Sequence, residues 1–283
     1  MLTVTILSLC IAIIIGIGLY VKASPILHEK SFFSLMGDSH WRPFRGEFGF
    51  YPFIMGTLWV TGIAIVLSLP VSLLTSIYIS EYADKRFRRL VNPMLDILSG
   101  IPPVVYGVWG VVVIVPMVAK HIAPHFVSFS TGYTVLAGGI ILAIMITPLL
   151  ISIFSEIFNS VPKELREASL SLGATHWQTI KFVILRKGLP GIIAAIVLAI
   201  SRAFGETIAV LMVCGNIPVV PKSIFDAGYP LPALIANNYG EMMSMPLYAS
   251  ALMLAALILF VIILFFNAIS RVVLIRIEKQ FHL

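Results

Sequence analysis

The stretch LYASALMLAALILFVIILFFNAIS at residues 247–270 contains no Asp, Glu, Lys or Arg. A helix needs about 20 consecutive apolar residues to cross the hydrocarbon layer of a bilayer, so this stretch predicts a transmembrane helix. The same criterion, applied outward along the chain, finds five more stretches of comparable length. The predicted spans are 2–21, 53–80, 97–119, 132–155, 191–214 and 247–270.

The overall composition agrees with a membrane protein and excludes an ordinary soluble domain. Hydrophobic residues make up 59% of the chain and charged residues only 11%, whereas soluble domains carry roughly 25% charged residues. The net charge of +6 does not indicate nucleic-acid binding, because the Lys and Arg residues lie in short clusters between apolar stretches and not in one patch with aromatic residues. The sequence therefore predicts an all-α integral membrane protein with about six transmembrane helices.

The distribution of Lys and Arg predicts the orientation of the spans. Placing 81–96, 156–190 and the C-terminus in the cytosol puts 12 basic residues inside and 6 outside, and cytoplasmic loops carry the excess of positive charge. Both termini are then cytoplasmic. The first apolar stretch is expected to remain as an anchor, because it lacks the basic n-region of a signal peptide. We divide the chain into 1–52, the first span with an external segment, and 53–274, the main membrane domain.

Proline residues inside the predicted spans indicate bent helices. The third span contains Pro102, Pro103 and Pro116, while Pro70 and Pro148 lie in the second and fourth. Proline removes an intrahelical hydrogen bond, which is tolerated in membranes where neighbouring helices or a water-filled cavity satisfy the freed groups. Two interpretations remain open: the bends serve helix packing, or the third span lines a moving pathway.

Residues 156–190 form the longest predicted cytosolic segment, and their pattern predicts two short helices. Pro162 suits a first helical turn, Gly173 suits a helix C-terminus, and Thr175 with Gln178 forms a possible capping box. The first of these helices is amphipathic, so its apolar face needs a surface to cover it. That surface is either a groove on another protein or the membrane itself.

Arg202 and Glu206 are charged residues inside the fifth predicted span. Their spacing predicts that both lie on one helical face. Charged side chains within a span are costly and usually face a bundle interior or a water-filled cavity. Arginine suits an anionic substrate, because its planar guanidinium donates two parallel hydrogen bonds to phosphate oxygens. The alternative is a structural ion pair in which the two charges neutralise each other.

The run Glu167-Ala168-Ser169, followed after three residues by Gly173, resembles the EAA loop of ABC-transporter permeases. In that family the first short helix docks into a cleft on the ATP-hydrolysing subunit. The resemblance therefore implies that Glu167, Ala168 and Gly173 are the ATPase-docking positions. It also implies the type-1 ABC importer permease fold with cytoplasmic coupling helices.

A narrower resemblance is to the permease subunits of the bacterial high-affinity phosphate (Pst) ABC transporter. It rests first on Arg-Ala-x-Gly-Glu-Thr at 202–207, and this implies that Arg202 and Glu206 line the substrate path. The external segment 41–48 is more similar to the C-type subunit than to its A-type partner. The further matches are Gly215-Asn216, Trp41-x-Pro43, Phe48-Gly49, Gly56-Thr57-Leu58 and Ile101-Pro102-Pro103-Val104-Val105-Tyr106-Gly107.

The resemblance implies a bacterial cell-membrane location and a set of partners. These are a second homologous permease, two cytoplasmic ATPase subunits, an extracytoplasmic phosphate-binding protein and membrane lipid. The chain has no G-x-x-x-x-G-K-[ST] motif, the usual loop for nucleotide phosphates. ATP and Mg²⁺ are therefore expected on the partner ATPases, and no cofactor is expected on this chain.

The chain departs from the family pattern at two places. Relatives commonly carry a basic cytoplasmic stretch before the first span, and this chain starts directly with that span. The Leu-Pro pair that usually follows the EAA loop is replaced by Leu185-Arg186, and Leu189-Pro190 comes four residues later.

Other functions remain as alternatives. An ABC permease for another oxyanion or small solute differs only in its substrate. A proton-coupled secondary transporter could use Glu206, and a membrane-embedded enzyme could use Arg202, although no nucleophile or base accompanies that arginine. His121 and His125 lack the third and fourth ligands of a stable zinc site, so no metal is expected. Asp96 is expected to cap the third span.

Overall fold

The computed structural model describes residues 2–240 and 244–281, and almost all of its elements are helices. The helices are α1 Leu2–Glu29, α2 Phe32–Gly37, α3 Tyr51–Ile77, α4 Lys85–Gly100, α5 Pro103–Trp109, α6 Val115–Met117, α7 Val135–Asn159, α8 Lys163–Ser171, α9 His176–Thr179, α10 Leu185–Gly205, α11 Ile208–Val213, α12 Leu231–Asn238 and α13 Pro246–Phe281. Two short strands, β1 Trp41–Arg42 and β2 Glu47–Phe48, precede α3.

Wider or tighter helical turns connect several of these helices. The π-helical turns are Tyr78–Tyr82 after α3, Gly110–Ile114 between α5 and α6, Val118–Ile122 after α6, and Ile180–Ile184 between α9 and α10. The 3-10 turns are Pro43–Arg45 and Ala123–His125. Wide turns of this kind are rare and often mark functional or strained positions.

Within the described residues, six helical stretches are long and apolar enough to cross a membrane. They are Cys10–Glu29, Tyr51–Tyr82, Pro103–His125, Val135–Asn159, His176–Gly205 and Pro246–Ile269. The predicted all-α membrane fold with six spans is confirmed. The bounds of the first, third and fifth predicted spans are wrong, and the first span continues to Glu29 where the sequence predicted an end at residue 21.

The third span begins at Pro103 and not at residue 97. The preceding residues belong to α4, a separate helix that ends at Gly100. Ile101 is extended with ψ 130°, because a residue before proline is disfavoured in the helical region. Asp96 lies exposed in the last turns of α4, so the expectation that it caps the third span is wrong.

The fifth span begins at His176 and ends at Gly205, whereas the sequence predicted 191–214. Helix α10 continues from α9 through a π-helical turn and contains Pro190. The prediction of two separate short helices in 156–190 is therefore half right. Helix α8 is short, and the second helix is the beginning of the fifth span.

The close packing of α3 against α7 forms the centre of the bundle. Gly139 of α7 allows this approach, since a Cβ atom there would collide with Ile63 of α3, and the adjacent Gly138 makes room for Cys214 at the end of α11. Small residues at helix interfaces let backbones come close in membranes. Buried side chains of α3, α7 and α11 form one core cluster, which includes Val60, Ile141 and Val213.

A second cluster joins α1, α12, α13 and the segment before α3. Strands β1 and β2 pair antiparallel, with Trp41 opposite Phe48. The Trp41 ring makes edge contacts with Phe53 at 4.8 Å and Tyr248 at 5.9 Å between ring centres. Because such aromatic contacts favour one arrangement of the rings, this cluster holds the predicted external segment against α3 and α13.

Candidate coupling and translocation sites

Helix α8 is a short helix with a defined stop. Pro162 precedes it as the N-cap residue. At its other end the Gly173 and Ala174 amides donate to the Leu170 and Ser169 carbonyls at 3.0 and 3.3 Å. This pair of bonds is a Schellman motif, which needs a residue with positive φ after the helix. Gly173 supplies it with φ +82°, so the predicted C-terminal role of Gly173 is confirmed.

The second helix begins with the predicted capping box. The Gln178 amide donates to the Thr175 hydroxyl at 3.2 Å, and the Thr175 amide donates to Gln178 Oε1 at 2.7 Å. These reciprocal bonds satisfy donors that a helix start otherwise leaves free. The Ser169 and Thr179 hydroxyls are 3.0 Å apart, which ties α8 to this helix start.

The outer face of α8 is open. Glu167 and Ala168 are both exposed. Leu172, at the end of the helix, is 89% exposed, and Leu165 is also exposed. This short helix therefore presents leucines beside charged residues as an apolar surface that none of the described residues covers.

Arg166, on the inner face of α8, binds this helix to the membrane domain. Its Nη1 atom is 2.9 and 3.1 Å from the two carboxylate oxygens of Glu81. Its Nη2 atom donates to the carbonyl of Phe158, in the last turn of α7. The Glu81 side chain is 3% exposed and that of Arg166 is 20% exposed. One guanidinium thus joins α8, the π-helical turn after α3 and the end of α7, a link that no local sequence pattern indicates.

Arg202 and Glu206 are not arranged as the sequence predicted. Helix α10 ends at Gly205, and Glu206 is the extended C-cap residue with ψ 125°. The two side chains therefore do not share a helical face, and the prediction that they do is wrong. The described residues contain two ion pairs, His40–Asp38 and Arg166–Glu81, and neither involves Arg202.

The surroundings of the two residues differ. Arg202 is exposed on the surface of this chain, while Glu206 is partly buried. Close to Arg202, the Ser201 hydroxyl donates to Asn267 of α13 at 3.2 Å, and Phe204 stacks on Phe266 with ring centres 4.9 Å apart. These contacts fix the last turn of α10, while the Arg202 side chain is exposed and forms no ion pair with a described residue.

The chain interrupts its helix between Gly205 and Ile208, beside transmembrane helix α3. Non-helical backbone at membrane depth is tolerated where it is buried in protein or lines a cavity. Helix α11 follows and packs against α5 and α7. The interruption therefore places Glu206 and Thr207 between the end of the fifth span and α11.

A cavity of about 400 Å³ lies at the end of α11. It is lined by Thr131, Tyr133, Met212, Gly215, Asn216, Ile217 and Ala227. Asn216 has a left-handed backbone with φ 53°, and its side-chain amide donates to the Leu211 carbonyl at 2.7 Å. The Gly215-Asn216 motif thus closes α11 at the wall of this cavity.

Comparison with known proteins identifies the family. A profile of the family described as binding-protein-dependent transport system inner membrane component matches residues 68–279. This match covers more than half of the chain. The chain belongs to this permease family.

The most similar relatives of this permease include phosphate permeases. The probable ABC transporter permease YqgH of Bacillus subtilis is 37% identical, over 82% of this chain and 74% of the relative. The phosphate transport system permease PstC of Pasteurella multocida is 33% identical, over 88% and 81%. The probable PstC of Methanocaldococcus jannaschii is 35% identical, over 81% and 76%. The predicted resemblance to the C-type phosphate permeases is confirmed.

Solved structures show the same fold at lower sequence identity. A chain of the MetNI methionine ABC transporter, in inward-facing conformations, has a TM-score of 0.59 and 18% identity, covering 78% of this permease and 93% of that chain. A chain of the bacterial alginate ABC transporter has the same TM-score and identity, covering 95% of both. The permease therefore has the predicted type-1 ABC importer fold.

Proposed function

We propose that this permease carries inorganic phosphate across the bacterial inner membrane as the C-type subunit of an ATP-driven importer. The observation that carries the proposal is the group of phosphate permeases that match most of the chain, including those at 33% and 35% identity. The fold by itself does not select the substrate, because it also occurs in transporters of methionine and alginate. An importer of another oxyanion is therefore the second candidate.

Arg202 is the proposed phosphate contact. It is exposed and free of an ion pair with any described residue, and α10 holds its backbone through the contacts of Ser201 and Phe204. A guanidinium can bind a tetrahedral anion through two parallel hydrogen bonds. Glu206, at the break after α10, is proposed to face the same path, where its charge would repel a bound anion and favour release.

The exposed face of α8 is the proposed docking surface for an ATPase subunit. Glu167 and Ala168 lie on this face, and Gly173 ends the helix so that the chain can turn back to Thr175. Apolar area with charge at its edge is typical of protein-binding surfaces. ATP and Mg²⁺ would bind to the ATPase subunits, and this chain would hold no cofactor or metal.

The remaining partners and the orientation belong to the same proposal. They are a second homologous permease, two ATPase subunits and an extracytoplasmic phosphate-binding protein. Both termini and α8 would face the cytosol, in line with the excess of basic residues on that side. A single cysteine at Lys222 should then react only with a reagent applied from outside.

The test is phosphate uptake by the reconstituted complex. Proteoliposomes with the permease, its copurifying subunits and internal ATP, and with the phosphate-binding protein added outside, should accumulate labelled phosphate. Tenfold excess unlabelled sulfate should not compete. A matched preparation with an inactive ATPase subunit gives the background. ATP-dependent uptake of sulfate in preference to phosphate would favour the second candidate and reject the first.

A further inference from the structure

Helix α4 lies between two membrane spans and is tied closely to both. The second span extends to Tyr82 and α4 begins at Lys85. At its other end α4 stops at Gly100, and the third span begins at Pro103. Because only two residues separate α4 from each span, the helix cannot leave the boundary between bilayer and water at which those spans end.

The surface of α4 is divided into three faces. Val91 and Leu95 pack on Ile79 and Ile151 of the neighbouring spans. A second face is apolar but exposed, and its members follow the helical spacing of one stripe: Phe87, Leu90, Met94 and Ile97. Leu90 is 65% and Ile97 69% exposed. The remaining face carries Lys85, Asn92 and Asp96, which are also exposed.

The beginning of α4 is strongly basic. Lys85, Arg86, Arg88 and Arg89 occupy four of its first five positions. Arg88 is used inside the protein, since it donates to the carbonyls of Ser80 and Ala83. The other three are exposed, and they make no hydrogen bond or ion pair with any residue that the structure describes.

Aromatic rings mark the same boundary. The exposed rings of Tyr78 and Tyr82 stack with centres 6.5 Å apart, and Tyr78 meets Phe87 edge-on at 6.0 Å. Tyrosine is enriched where the hydrocarbon layer meets the headgroups. The apolar stripe of α4 thus starts beside a ring cluster of the type that lies at this level.

We propose that α4 is an interfacial helix that binds anionic phospholipid. Its apolar stripe would enter the acyl-chain boundary, and Lys85, Arg86 and Arg89 would contact negatively charged headgroups. A helix with an apolar stripe and a basic polar face binds membranes through these two forces together. Basic residues near a bilayer enrich anionic lipids around them, and salt weakens the effect.

Lipid fits these features better than a protein partner does. A partner that covered the stripe, the proposed second permease included, would also have to neutralise Lys85, Arg86 and Arg89, which pair with no residue that the structure describes. The bilayer meets α4 on that side without any further structure. The proposal does not depend on which solute the permease carries.

The depth of the stripe can be measured by fluorescence quenching. Ile97→Cys and the matched control Asp96→Cys are each made in a Cys10→Ser/Cys214→Ala background and labelled with bimane. The assembled complex is placed in nanodiscs that contain lipid brominated on its acyl chains. The label at Ile97 should be quenched strongly by the brominated lipid and weakly by aqueous iodide, and the label at Asp96 should show the reverse. Equal quenching of both labels by iodide, or protection of both from lipid, would overturn the interfacial placement.

The charge preference is measured at the same label. With bromine placed only on phosphatidylglycerol in a phosphatidylcholine background, quenching at Ile97 should exceed that from equally brominated phosphatidylcholine several-fold at low salt. The triple variant Lys85→Gln/Arg86→Gln/Arg89→Gln should abolish this difference, while Arg42→Gln/Arg45→Gln on the distant β-hairpin should leave it intact. Equal quenching of the parent protein by the two brominated lipids would reject the proposed preference for anionic headgroups.

Discussion

Replacing Arg166 with Gln should lower the stability of the folded permease more than any other single substitution on α8. Glu81 is 3% exposed, so the substitution leaves a carboxylate inside the protein without its counter-charge. It also removes the donor to the Phe158 carbonyl. Breaking a buried pair by deleting one partner costs about 3 to 5 kcal/mol. Because Arg166 is 20% exposed, we expect the lower figure, about 3 kcal/mol.

This cost should be visible as a shift in thermal stability. For chains of this size each 1 kcal/mol shifts the midpoint by roughly 2 °C, so Arg166→Gln should lower it by roughly 6 °C. The midpoint is followed by size-exclusion of the heated, detergent-solubilised protein. Arg86→Gln is the matched control, because the Arg86 side chain is exposed and makes no hydrogen bond or ion pair with a described residue. It should shift the midpoint by less than about 1 °C.

A double variant separates the charge effect from lost contacts. Replacing both members by methionine removes the stranded charge, and apolar replacements of buried pairs are often neutral. Glu81→Met/Arg166→Met should therefore recover most of the loss shown by Arg166→Gln. The reasoning fails if Arg166→Gln melts within 1 °C of the parent, or if the double variant is no more stable than the single.

Substitutions at Gly173, Glu167, Arg202 and Glu206 test the remaining sites. Gly173→Ala should destabilise the end of α8 by about 1 kcal/mol, because φ +82° is strained for residues with a Cβ atom. The loss is measured as faster limited proteolysis after Leu172, with Gly62→Ala as a control at a glycine of ordinary φ. Glu167→Lys should reduce copurification of the ATPase while the permease still inserts, and normal recovery of ATPase and uptake would remove Glu167 from the docking face. Arg202→Lys should lower phosphate uptake by about tenfold and Arg202→Ala further, since charged hydrogen bonds contribute about 1.5 to 3 kcal/mol each. Because no ion pair joins Arg202 to Glu206 among the described residues, Arg202→Ala/Glu206→Ala should not recover uptake; recovery at equal expression would show a structural pair.

The spans were predictable because a bilayer of fixed thickness demands long apolar helices. The residues at which the helices begin and end were harder to predict. Helix α4 was divided between a loop and a span, because its apolar stripe continues almost directly into the apolar third span and only Ile101 and Pro102 separate them. The end of α10 carries no proline, and the residues after Glu206 are as apolar as those before Arg202. Composition therefore could not show that the helix stops at Gly205.

The residues of the candidate sites also differ in how far the sequence could predict their roles. Gly173, Thr175 and Gln178 act through bonds to residues at most four positions away, so their roles could be read from spacing. Arg166 and Glu81 are 85 positions apart, and no local pattern connects them. The Arg202–Glu206 prediction failed for a further reason, because the spacing rule holds only while the helix continues.

The fifth span connects the two proposed sites with one element. It starts at the Thr175 capping box, which the Ser169–Thr179 contact ties to α8, and it runs without a break to Gly205. At 1.5 Å per residue, His176 and Arg202 are roughly 39 Å apart along the helix. Two positions along it are weak: the π-helical turn Ile180–Ile184, and Pro190, which cannot donate a helical hydrogen bond. Under the proposed function, a displacement of α8 would therefore reach the turn that carries Arg202 unless it is absorbed at these two positions, of which the π-helical turn lies close to α8 and Pro190 near the middle of the span.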